Sequence, residues 1–232
     1  MFKKNKIKFA IPEFEYATKP TPAKQQIPEW YRDADRFIGN NGKIKVTNGQ
    51  GNHGVKLCTP FLDAMTAGYT ANLWLDILVE QTPLGPKLGW RSGPDPADRR
   101  EKMNKTIPTP AGHHDIHFAW KDIMHTQTPP GYSSLIIHPL NRYDLPFTTL
   151  AGVVDTDMTM ARGNLPFFLK EGFEGIIPAG TPMFQIIPFK RENWEMEMDD
   201  SIIKIGLENE FLTKKSVYGW YKNNKWHRKS YE

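Results

Sequence analysis

The chain has 232 residues, of which 39% are hydrophobic and 24% charged, a globular composition that excludes collagen-like, disulfide-scaffold and largely disordered chains. Its 30 basic and 26 acidic side chains leave a formal charge of +4, too small by itself to indicate nucleic-acid binding. A single cysteine, Cys58, excludes an internal disulfide and favours a reducing, intracellular environment. No run approaches about 18 uninterrupted apolar residues, so the sequence predicts no membrane contact.

Residues 1–57 are interpreted as an irregular N-terminal arm that wraps a core. Four prolines fall within its first thirty positions, and each pushes the residue before it toward an extended conformation. Within the arm, Ile27–Arg32 predicts a short helix with a proline in its first turn. Lys43–Val46 alternates basic and apolar residues between turns rich in Gly and Asn, which predicts a short strand.

Residues 58–190 are predicted to form a β core. Leu73–Val79 is enriched in large apolar side chains and predicts a buried strand. From residue 116 to residue 190, short apolar stretches alternate with Gly or Pro clusters, as is typical of an antiparallel all-β barrel or jelly roll. Residues 82–112 contain six prolines and many charges, and this pattern predicts a long surface loop within the core.

Residues 191–232 are predicted to form a helical C-terminal tail, because apolar residues recur at helical spacing after an acidic run and before a basic one. Aromatic and basic residues interleave from Lys214 to Arg228. That pattern fits a single-strand nucleic-acid binder, and it also fits a helix that docks on a neighbouring subunit. The small net charge favours docking, with Trp220 or Trp226 packed against the core or a second subunit.

Four short stretches carry the most specific pattern in the chain. Residues 67–69 read AGY, residues 130–139 read PGYSSLIIHP, residues 151–157 read AGVVDTD, and residues 177–187 read IPAGTPMFQII. In their order, these stretches resemble the first four motifs of the trimeric dUTPase and dCTP deaminase superfamily. The resemblance implies a dUTPase-like antiparallel β-barrel or jelly roll, the β-clip fold, assembled as a trimer.

The resemblance also implies roles for individual residues. Asp155 matches the carboxylate that orients the attacking water, so it is the candidate catalytic residue, because a carboxylate with a tuned pKa can act as a general base. Gln185 matches a residue that contacts phosphate. The remaining candidate ligand-binding residues are Tyr69, Asn141, Arg142 and Asp157.

Three departures from the superfamily pattern argue against efficient hydrolysis. Met158 replaces the tyrosine that packs on the base, and Leu140–Arg142 replaces the phosphate-gripping Arg-Ser-Gly. No Gly-rich fifth motif closes the chain. The alternative interpretation is therefore structural: Asp155 and Asp157 cap a tight turn between strands, as Asp often does.

A second resemblance covers most of the chain but brings no established activity. Residues 130–132 (PGY), 138–142 (HPLNR) and 187–191 (IPFKR) resemble an uncharacterised family of tailed-phage proteins. This resemblance implies a virion protein, or a protein of the infected bacterial cytoplasm.

Residues 112–117, which read GHHDIH, are the candidate metal site. Strand alternation would place His113, Asp115 and His117 on one face, and two imidazoles with a carboxylate are a ligand set for iron or zinc. Neighbours on one strand diverge from a single ion, so His125 or His138 would have to complete the site. A solvated histidine-rich turn without metal is the favoured interpretation, and no cofactor is identified.

Two functions remain open from the sequence. The first is a phage structural or assembly protein that uses a dUTPase-like β core to form a homotrimer and to contact other phage structural proteins. The second is a nucleotide-binding protein, or a divergent nucleotide hydrolase, that uses Asp155. The degraded nucleotide motifs favour the first function.

Overall fold

The computed structural model describes residues 5–11, 18–47, 50–100, 107–121, 123–159, 162–216 and 218–232. The chain is mainly β, and its strand pairs are antiparallel. The strands are β1 (Lys8–Ala10), β2 (Thr21–Pro22), β3 (Val46–Thr47), β4 (Gln50–Gly51), β5 (Tyr69–Asn72), β6 (Ile77–Thr82), β7 (Gly85–Gly89), β8 (Ala97–Arg99), β9 (His113–Lys121), β10 (His125–Gln127), β11 (Tyr132–Ile137), β12 (Phe147–Thr149), β13 (Gly152–Val154), β14 (Asn164–Lys170), β15 (Gly175–Ile177) and β16 (Pro182–Lys190). The α-helices are α1 (Glu29–Asp33), α2 (Thr59–Thr66), α3 (Ile202–Lys215) and α4 (Trp220–Asn224).

Three sheets form the body of the molecule. A five-stranded sheet has the order β13-β11-β16-β5-β2, and a four-stranded sheet has the order β12-β14-β9-β8. The third sheet has three strands in the order β15-β6-β7 and packs against the same core. Two further strand pairs are β1 with β10 and β3 with β4. The described parts of the N-terminal arm thus join the core through two strand pairs, β1 with β10 and β2 with β5.

The core centres on a buried aromatic stack. The Trp120 ring of β9 lies parallel to Phe167 of β14 at a centroid distance of 3.7 Å, and Phe147 of β12 meets it edge-on at 4.9 Å. The indole Nε1 of Trp120 donates to the Thr149 hydroxyl at 3.0 Å, and that hydroxyl donates to the Met183 carbonyl of β16 at 2.7 Å. This chain of hydrogen bonds ties the four-stranded sheet to the five-stranded sheet and leaves the buried indole N–H paired.

Three local predictions need correction. The stretch 82–112 is not one loop, because it contains β7 and β8 in its described part; residues 101–106 lie outside the described residues. Pro86 is tolerated because β7 is the edge of its sheet, where a missing N–H costs no ladder bond. The strand predicted at Lys43–Val46 starts only at its last residue. Leu73–Val79 is broken before β6, since Leu73 instead bonds to the turn before β16.

Candidate functional site

The candidate catalytic carboxylate lies in a clamp at one end of the five-stranded sheet. Asp155 follows β13, and Arg191 follows β16, with β11 between these two strands. The Asp155 carboxylate accepts a hydrogen bond from the Ser133 hydroxyl at 2.6 Å and lies 3.3 Å from the Arg191 guanidinium. Its side chain is 59% exposed, so a solvent molecule can reach it.

Asp157 is the more firmly held of the two acids, with only 4% of its side chain exposed. It forms a bidentate pair with Arg191 and accepts a hydrogen bond from the Gly131 N–H at 2.7 Å. The hydrogen bonds from Arg191, supported by the Gly131 N–H, lower the pKa of Asp157 to about 2 against the opposing effect of desolvation. This geometry matches the turn-capping interpretation of Asp157, with Arg191 as an added partner.

The side-chain amide of Gln185 bonds to backbone groups of the fold and is not available to a ligand. Its side chain is buried in β16, where Oε1 accepts from the Leu140 N–H at 2.8 Å. Its Nε2 donates to the Ala64 carbonyl at 3.0 Å and to the Ala67 carbonyl. These bonds fasten the end of α2 and the 138–142 turn to the sheet, so no amide hydrogen is left for a phosphate.

The AGY stretch serves the same junction. Gly68 has a φ of +67°, and an added Cβ would lie 2.0 Å from the Ile186 carbonyl oxygen of β16. Only glycine therefore fits where the chain leaves α2 and enters β5. Tyr69, the next residue, packs edge-on against Phe9 and Tyr231 and donates a hydrogen bond to the Glu232 carbonyl at 3.3 Å.

Tyr69 also lines a cavity with a volume of about 370 Å³. Its walls combine the N-terminal segment around Lys6, the β11 residue Tyr132 and the C-terminal Tyr231. Burial, together with the neighbouring Tyr231 and Glu232, raises the pKa of the Tyr69 phenol. None of the other five candidate site residues lines this cavity.

Asn141 and Arg142 lie at a different place. Asn141 adopts a φ of 61° and donates to the Phe61 carbonyl at 3.2 Å. Arg142 forms a bidentate pair with Asp144 and donates to the Gln26 carbonyl at 3.0 Å, which ties the turn to the N-terminal arm. These contacts give both residues structural partners.

The sequence candidates therefore do not converge on one site. Asp155 contacts Ser133 at the start of β11, whereas Gln185 is paired with Ile137 at its end. Four residues of strand separate these points by about 13 Å. Arg191 and Ser133, which sequence reasoning did not select, are the side chains that actually face Asp155.

The histidine-rich stretch gives no metal centre in the described residues. His113 bonds to the Ala111 carbonyl and to the Thr148 hydroxyl, while Asp115 is exposed and His117 is buried against Phe168. Burial, reinforced by the nearby Arg100, lowers the pKa of His117. The three side chains predicted to share a face thus differ too much in environment to hold one ion.

The C-terminal tail contains the helices α3 and α4, and its end returns to the core. Trp220 and Trp226 are both half-buried, and the Trp226 indole donates to the Asp63 carboxylate of α2 at 2.8 Å. Lys229 pairs with the same carboxylate and lies over the Trp226 ring. Tyr218 packs edge-on against Phe37. Trp226 thus docks on α2 of its own chain while staying only half-buried, and the Trp220 ring lies under Lys225 of the same tail.

No protein-family model matches the sequence, and no curated protein sequence matches it. Among the described residues, no helix combines the length and apolarity that crossing a bilayer requires.

Replacing Gln185 by Leu should lower the free energy of unfolding by about 3 kcal/mol, because the Leu140 N–H and two carbonyls lose buried partners. Urea denaturation measures the loss. Gln25→Leu, at an exposed position, is the matched control and should stay within about 0.5 kcal/mol. A Gln185→Leu protein as stable as the wild type would contradict the structural role.

Asp157 should make the stability of the protein pH-dependent in acid. Because its folded pKa is lowered from 3.8 to about 2, the stabilisation is complete above the unfolded pKa and is lost as the pH falls toward about 2. Asp157→Asn should be less stable at neutral pH and show a shallower decline over that interval. Thermal denaturation of both proteins between pH 5 and 2 tests this, with exposed Asp33→Asn as control. Parallel declines for wild type and Asp157→Asn would refute it.

Proposed function

We propose that this chain is a structural or assembly subunit of a tailed-phage particle, built on a self-associating β core that does not hydrolyse nucleotides efficiently. The carrying observation is a projecting segment, residues 192–216, which leaves the core after Arg191 and returns to it at Tyr218. All residues from 192 to 208 are exposed. Trp194, Met196 and Met198 are each 87% exposed, although large apolar side chains of this kind are normally covered.

The state of the nucleotide motifs supports the same proposal. A hydrolase of dUTPase type would need Asp155 free to orient water and Gln185 free to meet phosphate. Arg191 and Ser133 contact Asp155, and backbone groups use the whole amide of Gln185. Both observations fit a β scaffold in which these motif residues stabilise the fold.

We also propose where the protein acts and in which oligomeric state. The resemblance of residues 130–142 and 187–191 to tailed-phage proteins favours the virion or the infected bacterial cytoplasm. The superfamily resemblance favours a homotrimer, and closed cyclic assemblies are the common form of soluble homo-oligomers.

Nucleotide binding is the second candidate, and the exposure of Asp155 favours it. The carboxylate is 59% exposed beside a serine hydroxyl and an arginine, a set that can meet a polar ligand. A nucleotide would have to displace Arg191 from Asp157 before its phosphates could use that cation.

Light scattering on the purified full chain tests the proposal, and a mass near three times 26.7 kDa is expected. The same preparation, incubated with dUTP and Mg²⁺, should release no pyrophosphate above the buffer background. A monomer at micromolar concentration would contradict the assembly function. Turnover that survives purification and disappears in Asp155→Asn would establish the hydrolase instead.

A further inference from the structure

Near its start, at Asn193–Asp199, the projecting segment reads NWEMEMD. Apolar and acidic residues alternate strictly from Trp194 to Asp199, which is the pattern of a strand with one apolar face. The backbone there is neither helical nor paired with another strand. The segment therefore has the pattern of a strand, and no strand of the described residues pairs with it.

The three-stranded sheet offers an edge and an apolar face that match this strand. β15 pairs with β6 on one side, and no strand of the described residues pairs with its other side. Ile176 of β15 lies opposite Leu78 of β6 on the outward face, and these side chains are 60% and 43% exposed. Beside them is a groove of about 650 Å³ lined also by Leu75 and Trp90.

The segment cannot place Trp194 on the groove of its own chain. The groove lies beside the start of β16, where Asp76 accepts a hydrogen bond from Ala179, whereas the segment leaves from the end of that strand. β16 spans nine residues, or about 26 Å. Trp194 follows Arg191 by three residues and reaches at most about 11 Å from it. Trp194 can therefore reach this groove only from a second copy of the chain.

The apolar area of the segment is large enough for a specific contact between copies. Eight large apolar side chains between residues 194 and 211 are each more than half exposed. Together they offer on the order of 1,000 Å², against the about 800 Å² that one partner of a standard interface buries, and the three side chains from 194 to 198 contribute about half of this area. They are Trp194, Met196, Met198, Ile202, Ile203, Ile205, Leu207 and Phe211.

We infer that residues 193–199 of one copy add as a strand to the free edge of β15 in a second copy, with Trp194, Met196 and Met198 extending the apolar face formed by Ile176 and Leu78. The backbone pairs with the edge, and the alternate side chains read the apolar face, as in other cases of strand addition. The contact is head-to-tail, and such a contact builds a ring when the rotation between copies closes after a whole number of subunits. The inference rests on the proposed self-association and names its surfaces.

Three variants of the full chain test the inference by light scattering. The segment variant is Trp194→Ser with Met196→Ser, the groove variant is Ile176→Lys, and the control is Val153→Ser. Val153 is 64% exposed on β13, the edge of a different sheet. The segment and groove variants should each lower the mass toward 26.7 kDa and weaken association by about 30-fold or more, while the control keeps the wild-type mass.

Mixing the two variants supplies the decisive arm. The groove variant keeps an intact segment and the segment variant an intact groove, so an equal mixture should form a species of two chains. Circular dichroism of each variant must match the wild type, so that loss of mass reports contact and not unfolding. A mixture that stays monomeric would overturn the head-to-tail contact.

The light-scattering masses distinguish a failure of this inference from a failure of the proposed function. A wild-type oligomer whose mass neither variant changes would overturn the strand addition and leave a self-associating subunit in place. A monomeric wild-type protein would overturn both.

Discussion

The fold depends on burying one indole without leaving its N–H unpaired. Trp120 lies inside the body of the protein with its faces against phenylalanine rings, and its nitrogen needs an acceptor there. The Thr149 hydroxyl accepts that hydrogen bond and donates one to the Met183 carbonyl. The packing of the four-stranded sheet therefore fixes the position of the five-stranded sheet. β16, which carries Met183, is thereby held as the central strand of the five-stranded sheet.

The two ends of β16 lie at two different surfaces of the protein. Its first residues lie beside the exposed face of the three-stranded sheet, and its last residue leads to Arg191 and the acid clamp. The clamp fixes where the chain leaves the core, and the projecting segment starts there. A motif that resembles a catalytic one thus holds the start of an exposed apolar segment, and this arrangement supports the proposed assembly function.

Local patterns predicted much of the β core. Ile116–Trp120, Ser133–Ile137 and Leu165–Leu169 lie within β9, β11 and β14, because short apolar runs between Gly and Pro clusters have few other solutions. The edge strand β7 was missed because its Pro86 reads as a breaker until its position at a sheet edge is known.

The site was less predictable because its contacts are distant in sequence. Arg191 meets Asp157 across 34 residues, and no spacing rule connects them. Gln185 looks like a ligand residue in its motif, and only the fold brings the carbonyls of α2 within reach of its amide. The alternation of Trp194, Met196 and Met198 was visible in the sequence, but the acidic residues between them suggested the start of a helix.

Hydrogen–deuterium exchange at low and high protein concentration tests whether residues 193–199 pair with β15 of a second copy. The amides of residues 193–199 and those at the free edge of β15 should exchange rapidly in dilute protein and become protected together as concentration rises, since each strand supplies hydrogen bonds to the other across copies. Amides of β9 should stay protected throughout as an internal reference. Rapid exchange of 193–199 at every concentration, in a protein that nevertheless oligomerises, would show that this segment does not pair with β15 of a second copy.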